Sequence, residues 1–310
     1  MSAAEPPQGA NSAPAGGSAA AEPQAWGGHS TAVVFAYHNV GARCLRVVRA
    51  HDVDVPLVVT HVDDPQETPW FERVADVADD LGLPCIAPVD VNARDVIDRI
   101  GALAPDFIFS FYCRQMLKPP LLGLARRGAL NMHGSLLPFY RGRAPVNWAV
   151  LHGERRTGAT LHYMAEKPDA GDIVAQQAVP ILPDDTAGDV LDKVTVAAEI
   201  CLDAAMPALI AGTAPHWPND IAHGSYFGGR TAEDGRIDWR RPALAIHNLV
   251  RAVAPPYPGA FCDRLFVYRT RVEDRLAGPG PLGPYRERGE WLARCGDGKV
   301  LRLLEVLEKQ

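Results

Sequence analysis

Short apolar runs alternate with amphipathic segments from residue 31 to residue 133. The runs have the length of buried strands, and the segments between them space their apolar residues as one face of a helix does. This alternation predicts an α/β fold in which helices cover both faces of a doubly wound, mostly parallel sheet. The predicted strands are residues 31–37, 55–60, 85–87, 107–111 and 129–133, and the predicted helices are residues 42–50, 71–81, 93–103 and about 120–125.

The turn after the first predicted strand has the sequence Tyr37-His38-Asn39-Val40-Gly41. A Rossmann-like sheet that binds a dinucleotide carries Gly-x-Gly-x-x-Gly there, because glycines let the backbone approach the pyrophosphate. The motif is missing, so this Rossmann-like sheet is not predicted to bind NAD.

The pattern changes along the remaining chain. Residues 158–163 and 173–181 predict a strand pair, and residues 186–210 predict a long helix that ends at Gly212. Beyond residue 220 a predicted helix, 243–253, is accompanied by short strands at 260–263, 265–272, 289–293 and 299–306. Glycine and proline turns between such strands favour a small β-barrel. We therefore predict a catalytic domain at 30–220 and a carboxyl-terminal subdomain at 221–310.

Residues 1–29 are mainly Ala, Gly, Pro and Ser, with Glu5 and Glu22 and without Lys or Arg. A segment so poor in apolar surface is expected to be a disordered leader. It lacks the basic and apolar regions of a signal peptide, and the chain has no apolar run near the ~18 residues that span a bilayer. A cytoplasmic location without membrane insertion is predicted.

The composition narrows the partners. Six scattered cysteines among 310 residues form no Cys-x-x-Cys or Cys/His cluster, so neither a metal site nor a disulfide framework is predicted. The net charge of −6 weakly disfavours a nucleic-acid partner, since such proteins usually carry a basic patch.

The strand at 129–133 leads into Asn131-Met132-His133-Gly134-Ser135-Leu136-Leu137-Pro138, and Asp169-Ala170-Gly171 follows later. A strand has a period of two, so Asn131 and His133 project to one face, at the carboxyl end where open α/β sheets bind ligands. An amide donor there can stabilise an oxyanion, and an imidazole can move a proton. We assign these roles to Asn131 and His133. Asp169 orients the imidazole, with Asp172 as the alternative carboxylate.

Four other histidines are candidates for acid/base chemistry: His38, His61, His152 and His162. Each stands without a matching partner in a motif, so surface or structural roles are predicted. A Ser-His-Asp hydrolase would need Gly-x-Ser-x-Gly, and the sequence has none.

The Asn-x-His motif, the following Ser-Leu-Leu-Pro-x-Tyr-Arg-Gly and the later Asp-Ala-Gly resemble the formyltransferases that use N10-formyltetrahydrofolate. The likeness runs from about residue 31 to the carboxyl end, through five separate matches in the same order. Within the family the sequence is most similar to the formyltransferase domain of ArnA-type bifunctional polymyxin resistance proteins. That domain formylates UDP-4-amino-4-deoxy-L-arabinose, a step in lipid A modification.

The resemblance implies an OB-like carboxyl-terminal subdomain and a set of ligand contacts. The formyl donor would contact the main chain of Gln115, Met116 and Leu117, the side chain of Arg143, and a loop of Ala165, Glu166, Lys167, Pro168 and Asp169. Phe111, Tyr112 and Met116 offer apolar surface for a flat heterocycle. The sugar nucleotide would contact Asn147, Arg230, Arg251 and Tyr257, in which guanidinium groups suit a diphosphate and an aromatic ring suits uracil.

Three alternatives remain open. Methionyl-tRNA formyltransferase has a related motif but must hold a polyanion, whereas the loop at 62–70 carries three acids and no base. A formyltetrahydrofolate hydrolase would leave the carboxyl-terminal arginines without a task. A sugar-nucleotide-binding protein with a vestigial site is disfavoured by the intact set of Asn131, His133 and Asp169.

Overall fold

The structure is a computed structural model that describes residues 29–63 and 70–309. All but the last residue of the predicted leader, and residues 64–69 of the acidic loop, lie outside the described residues.

The first two thirds of the described chain alternate strands with helices. In chain order the elements are β1 (Thr31–Ala36), α1 (His38–Ala50), β2 (Asp54–Val59), α2 (Val74–Asp80), β3 (Cys85–Ile86), α3 (Arg94–Leu103), β4 (Phe107–Phe111), α4 (Pro119–Leu122), β5 (Gly128–His133), β6 (Arg141–Gly142), α5 (Pro145–His152), β7 (Arg156–Tyr163), β8 (Ile173–Pro180) and α6 (Ala187–Ala211). The elements that follow are β9 (Tyr226–Phe227), α7 (Ala243–Val253), β10 (Ala260–Phe261), β11 (Leu265–Leu276), β12 (Gly283–Glu287), β13 (Glu290–Arg294) and β14 (Lys299–Glu308).

The main sheet has seven strands in the order β3-β2-β1-β4-β5-β7-β8. The five strands from β3 to β5 are parallel, and β7 and β8 continue the sheet antiparallel. Alternate residues of β1 enter two cores: Val34 packs with α1 and α6, and Val33 packs with α3 and α4. The prediction of a doubly wound, mostly parallel sheet is confirmed.

Helix α6 is the longest helix of the described chain. It begins with a capping box between Thr186 and Asp189 and ends at Gly212, whose φ of 72° is the left-handed conformation that glycine adopts readily. By length and composition alone α6 passes as a membrane-spanning helix. Here half of that apolar stretch is buried, because α6 packs against α1, β7 and β8. Its apolar composition is therefore used in the core.

Two helices differ from the sequence prediction. Helix α1 begins at His38, four residues early, and includes Gly41, where a Cβ atom would come within 3.0 Å of Ala36. The glycine therefore permits close packing of α1 on β1 rather than forming a loop. Helix α5 was not predicted; it begins with Pro145 in its first turn and ends at Gly153 with a φ of 73°.

The carboxyl-terminal region is a five-stranded antiparallel sheet in the order β10-β11-β14-β13-β12, with β10 and β12 as its edges. Helix α7 packs against β11 and β14 and closes a second core. The predicted carboxyl-terminal β-structure is confirmed, although strand β12 was missed. The domain boundary near residue 220 stays a prediction.

A two-stranded sheet joins the two parts of the chain. Strand β6 pairs in parallel with β9, and Arg141 N–H donates to the carbonyl of Ser225 at 3.0 Å. Arg143 N–H donates to the carbonyl of Phe227, also at 3.0 Å. The segment that follows β5 is therefore held by residues from beyond position 220.

Candidate active site

Strand β5 carries the two predicted catalytic side chains next to strand β7. The antiparallel register places Asn131 opposite His162 and His133 opposite Thr160. The hydroxyl group of Thr160 donates to the carbonyl of Ser135 at 2.6 Å, which fixes the turn that leaves β5. The strand pair therefore brings an amide and two imidazoles to one place.

The buried side chain of His162 orients Asn131. Nδ1 of His162 lies 2.8 Å from the carbonyl oxygen of Tyr163 and must donate its hydrogen, because a carbonyl only accepts. Burial is the largest effect on the pKa of His162 and lowers it to about 4, although the nearby Asp169 acts in the opposite direction. Nε2 of the neutral ring therefore accepts from Nδ2 of Asn131 at 3.1 Å. One N–H of the amide is held by this bond, and the other remains for a ligand.

The ring of His133 is held in the same way. Its Nε2 lies 2.8 Å from the carbonyl oxygen of Tyr140 and donates to it. The other nitrogen, Nδ1, lies 3.6 Å from Oδ1 of Asp169. Nδ1, the ring nitrogen that Tyr140 does not engage, therefore faces the carboxylate of Asp169.

Asp169 is fixed by main-chain contacts. Its φ of 48° places it in the left-handed region, and its Oδ2 accepts from the N–H of Gly142 at 2.8 Å. Its carbonyl oxygen accepts from Nδ2 of Asn219 at 3.0 Å. Its Oδ1 faces His133 and lies 3.7 Å from Nε2 of His162. The alternative carboxylate, Asp172, lies instead 3.4 Å from His216.

A cavity of about 650 Å³ opens over these groups. Pockets that hold one drug-sized ligand measure ~300–1,000 Å³, so this cavity has the size of a small-molecule site. The predicted site residues that line it are Gln115, Met116, Leu117, Asn131, His133, Arg143, Asn147, Ala165, Pro168, Asp169 and Tyr257. Residues 29–63 and 70–309 contain no group of three or more His, Cys, Asp or Glu side chains placed to hold a metal ion.

An amide donor, a titratable imidazole and a carboxylate around one cavity match the requirements of acyl transfer to an amine. Family comparison decides between the chemistries that share them. Residues 38–206 match the model of the formyl transferase family, and residues 230–310 match its carboxyl-terminal domain. The chain belongs to the formyl transferase family.

Solved structures share the fold of this formyl transferase. One is the N-formyltransferase from Helicobacter canadensis in complex with folinic acid and dTDP-3-aminofucose, with 18% identity, 89% of this chain and 99% of that chain covered, and a TM-score of 0.70. WlaRD, a sugar 3N-formyl transferase, has 18% identity, 89% and 98% coverage and a TM-score of 0.72. A sugar N-formyltransferase from Shewanella sp. has 20% identity, 75% and 91% coverage and a TM-score of 0.59.

Several predicted residues of the formyl transferase do not reach the cavity. Arg251 is 7% exposed, and its guanidinium donates to the side chain of Asn248 at 2.9 Å and to the carbonyl of Asp185 at 3.1 Å. Such contacts are typical of a structural arginine. Arg230 lies over the ring of Trp148, 4.8 Å from its centroid, and outside the lining.

Three more residues that were predicted to contact the formyl donor also lie outside the cavity lining. Glu166 and Lys167 are exposed beyond the lining residues, and Phe111 is fully buried in the core shared with α1 and α6. Of the proposed heterocycle contacts, Tyr112 and Met116 do line the cavity. The loop at 165–169 therefore contributes Ala165, Pro168 and Asp169.

The sequence missed His162. It was predicted to have a structural role without a partner, whereas the structure gives it both Asn131 and Asp169. The available signal was its place in a predicted strand, at a position that can face the catalytic strand. Among the other histidines, His38 lines the cavity, His61 accepts from the N–H of Arg114, and His152 contacts the hydroxyl group of Tyr140.

Proposed function

We propose that this formyl transferase moves the formyl group of N10-formyltetrahydrofolate to the 4-amine of a nucleotide-linked amino sugar, UDP-4-amino-4-deoxy-L-arabinose. The observation that carries the proposal is the convergence of Asn131, His133 and Asp169 on one cavity of about 650 Å³. A transferase must bring donor and acceptor together, and these three side chains face the one cavity where the reacting groups would meet.

The formyl donor is a substrate of the proposed reaction. Gln115, Met116 and Leu117 lie on one wall of the cavity, and Ala165 and Pro168 also line it. Nδ2 of Asn92 donates to the carbonyl of Met116 at 3.0 Å, so one hydrogen bond anchors this main chain. The relatives from Helicobacter canadensis and WlaRD carry folinic acid and 5-N-formyl-THF, which supports a folate donor here.

In the proposed reaction the amine nitrogen attacks the formyl carbon, and a C–N bond forms while charge moves to the formyl oxygen. The free N–H of Asn131 donates to that oxygen, a contact worth ~3 kcal/mol or more in comparable sites. The bond from the carbon to N10 then breaks. Nδ1 of His133 takes the excess proton from the amine and delivers it to the leaving nitrogen, and the Asp169 carboxylate stabilises the imidazolium between these steps.

The acceptor is the finer part of the proposal. Sugar N-formyltransferases among structures of the same fold support a nucleotide sugar. The arabinose sugar, the 4-amine and the uridine nucleotide rest on the resemblance of residues 140–148 to the ArnA-type subgroup. The same resemblance supports a step toward lipid A modification. The composition and pattern of the sequence support a cytoplasmic location with no membrane insertion, no nucleic-acid partner and no bound metal.

Two alternatives are tested by the same assay. A methionyl-tRNA formyltransferase is opposed by the acidic loop at 62–70, and a formyltetrahydrofolate hydrolase would use water in place of the amine. Each would keep the roles of Asn131 and His133.

The test is a panel assay with purified protein and N10-formyltetrahydrofolate. UDP-4-amino-4-deoxy-L-arabinose, other UDP- and dTDP-linked amino sugars, methionyl-tRNA and buffer alone serve as acceptors, and formylated product is measured by mass spectrometry. We expect product with the UDP-linked arabinose and none with tRNA. Product only with a dTDP sugar would change the acceptor, and folate turnover without any acceptor would favour the hydrolase. His133→Ala is the control for contaminating activity.

A further inference from the structure

Five aromatic rings group at one side of the cavity, where β1 and β4 end. We call Tyr37, His38, Trp70, Phe71 and Tyr112 the His38 cluster. The ring of His38 lies at its centre, with centroids 4.5 Å from Trp70, 4.6 Å from Phe71 and 6.2 Å from Tyr112. All but Phe71 line the cavity. The cluster is therefore a wall of the site rather than interior packing.

His38 has an unsatisfied nitrogen in this wall. Its side chain is 8% exposed, and Nδ1 is buried without a hydrogen-bond partner in the described residues. Burial, and secondly the charge of Arg114, lower the pKa of His38 to about 4, so the ring is neutral near pH 7. An unpaired buried polar atom costs ~1–3 kcal/mol. His38 is therefore a buried, neutral ring that supports the cavity wall.

Trp70 and Arg114 complete the surface. Trp70 is 48% exposed, so it offers ring area at the cavity wall. The guanidinium carbon of Arg114 lies 4.9 Å from the ring centroid of Tyr37, and no ion pair joins Arg114 to a carboxylate of the described chain. The main chain of Arg114 is fixed, because its N–H donates to Nε2 of His61 at 2.9 Å. A guanidinium group thus lies beside rings that contact one another edge to face or at a tilt.

The cluster reaches the catalytic groups through Tyr112. A Cβ atom at Gly134, the residue after His133, would lie 2.7 Å from the Tyr112 hydroxyl oxygen. Tyr112 contacts His38, and His38 contacts Trp70, while the charge of Arg114 acts on His38. A nucleotide sugar carries a diphosphate and a base beyond its amine-bearing sugar. A folate carries no anion between its reacting nitrogen and its pterin, so the cluster fits the nucleotide better.

We propose that the His38 cluster and Arg114 bind the nucleoside diphosphate of the acceptor. The pyrimidine base stacks on Trp70, and the diphosphate pairs with Arg114. The neutral ring of His38 contacts Trp70 edge to face and holds it in the cavity wall. This inference rests on the proposed function, since it assigns the nucleotide half of that acceptor.

The proposal places the nucleotide away from the residues that the sequence suggested. Arg251 donates to the carbonyl oxygens of Leu182 and Asp185 and does not line the cavity. Tyr257 lines the cavity, but burial raises its pKa and its ring packs against the cores around α5 and α7. In contrast, Arg114 and Trp70 present unpaired charge and exposed ring surface to the cavity.

The experiment measures UDP binding by calorimetry, without any catalysis, in the wild type, Trp70→Ala, Trp70→Phe and Arg114→Gln. We expect Trp70→Ala to weaken UDP at least about tenfold, as loss of one base stack does, and Trp70→Phe to restore most of the affinity. Arg114→Gln should weaken UDP about tenfold and reduce its dependence on salt. Trp217→Ala is the matched control, because Trp217 is 56% exposed and lies outside the cavity lining.

Kinetics provide the second measurement. The KM for the nucleotide sugar should rise about tenfold in Trp70→Ala, with kcat and the KM for formyltetrahydrofolate within about threefold of the wild type. Unchanged UDP affinity in both Trp70→Ala and Arg114→Gln, a wild type that binds no UDP, or a raised folate KM in place of the sugar KM would overturn the proposal. UDP binding at the cluster without transfer to any amino sugar would refute the proposed function alone. Normal transfer by a Trp70→Ala enzyme with unchanged KM would refute the subsite alone.

Discussion

The proposed catalytic centre and the His38 cluster lie along one cavity. They differ in whether their polar side chains have hydrogen-bond partners within the protein. In the centre Asn131 is held by His162, and His133 is held by the carbonyl of Tyr140. In the cluster Nδ1 of His38 has no partner among the described residues, and Arg114 has no ion pair there. Groups that act on developing charge are thus oriented by the protein before substrate arrives, as electrostatic preorganisation requires. In the proposed nucleotide subsite, by contrast, the charge of Arg114 would find its partner only in the bound substrate.

The largest effect is expected at the centre. His133→Ala removes the proton carrier, and Asn131→Ala removes the oxyanion donor, so each should lower kcat by at least ~10². UDP affinity should stay within about twofold of the wild type, the reverse of the pattern expected for Trp70→Ala. Rapid-mixing kinetics and calorimetry on the same preparations check both halves. Near-normal kcat in either variant would remove that residue from the mechanism.

His162→Ala should lower kcat by about tenfold, because Asn131 loses the acceptor that orients its amide. His162→Gln supplies another acceptor and should recover part of the rate. A double-mutant cycle gives the sharper readout: once Asn131 is alanine, replacing His162 should cost little more. Fully additive losses would show that His162 acts independently of Asn131.

Arg251 and Arg114 provide a contrast between two arginines. Arg251→Leu should lower the free energy of unfolding by about 2 kcal/mol or more, since the carbonyl of Asp185 and the side chain of Asn248 lose a buried donor. UDP affinity should not change in this variant. Arg114→Gln should weaken UDP binding and leave the free energy of unfolding unchanged. Urea unfolding curves and UDP titrations of both variants separate these outcomes, and a KM effect without a stability effect in Arg251→Leu would restore its predicted role in diphosphate binding.

The last expected effect concerns stability at acid pH. The native pKa values of His38 and His162 are lowered from 6.5 to about 4, so between these values the unfolded chain binds protons that the native protein does not. The free energy of unfolding should therefore fall on acidification from pH 6.5 to 4, by up to about 1.4 kcal/mol per pH unit for each ring. His38→Gln should have a shallower slope in urea unfolding at pH 7, 6 and 5. Equal slopes would contradict the assignment of a neutral buried ring.

Local pattern was sufficient for the parts of the site that lie in one strand. Asn131 and His133 share a face because strand geometry has a period of two, and the sheet was predicted from strand and helix alternation. The family model then confirmed the formyltransferase chemistry that the motif suggested. The specific acceptor sugar stays a proposal.

Tertiary contacts decided what the pattern could not. His162 reaches Asn131 through the antiparallel register of β5 and β7, which joins residues 31 positions apart. The sequence does not distinguish Arg251 from Arg114. In the structure Arg251 donates hydrogen bonds to buried carbonyl oxygens, whereas Arg114 lines the cavity. Helix α5 was missed because it has only eight residues, and most of them are apolar, so they lack the spacing of one apolar helix face.

The pairing of β6 with β9 bears on how this molecule could be recombined. The carbonyl of Tyr140 accepts from His133, and the N–H of Gly142 donates to Asp169. The same backbone segment is hydrogen-bonded to residues 225–227. A chimera with the carboxyl-terminal region of another relative would inherit a matched catalytic pocket only if its junction fell after residue 227. A junction near 220 would pair β6 with a β9 strand from the other protein. The activity of such a chimera would show how strongly these hydrogen bonds determine the geometry of the site.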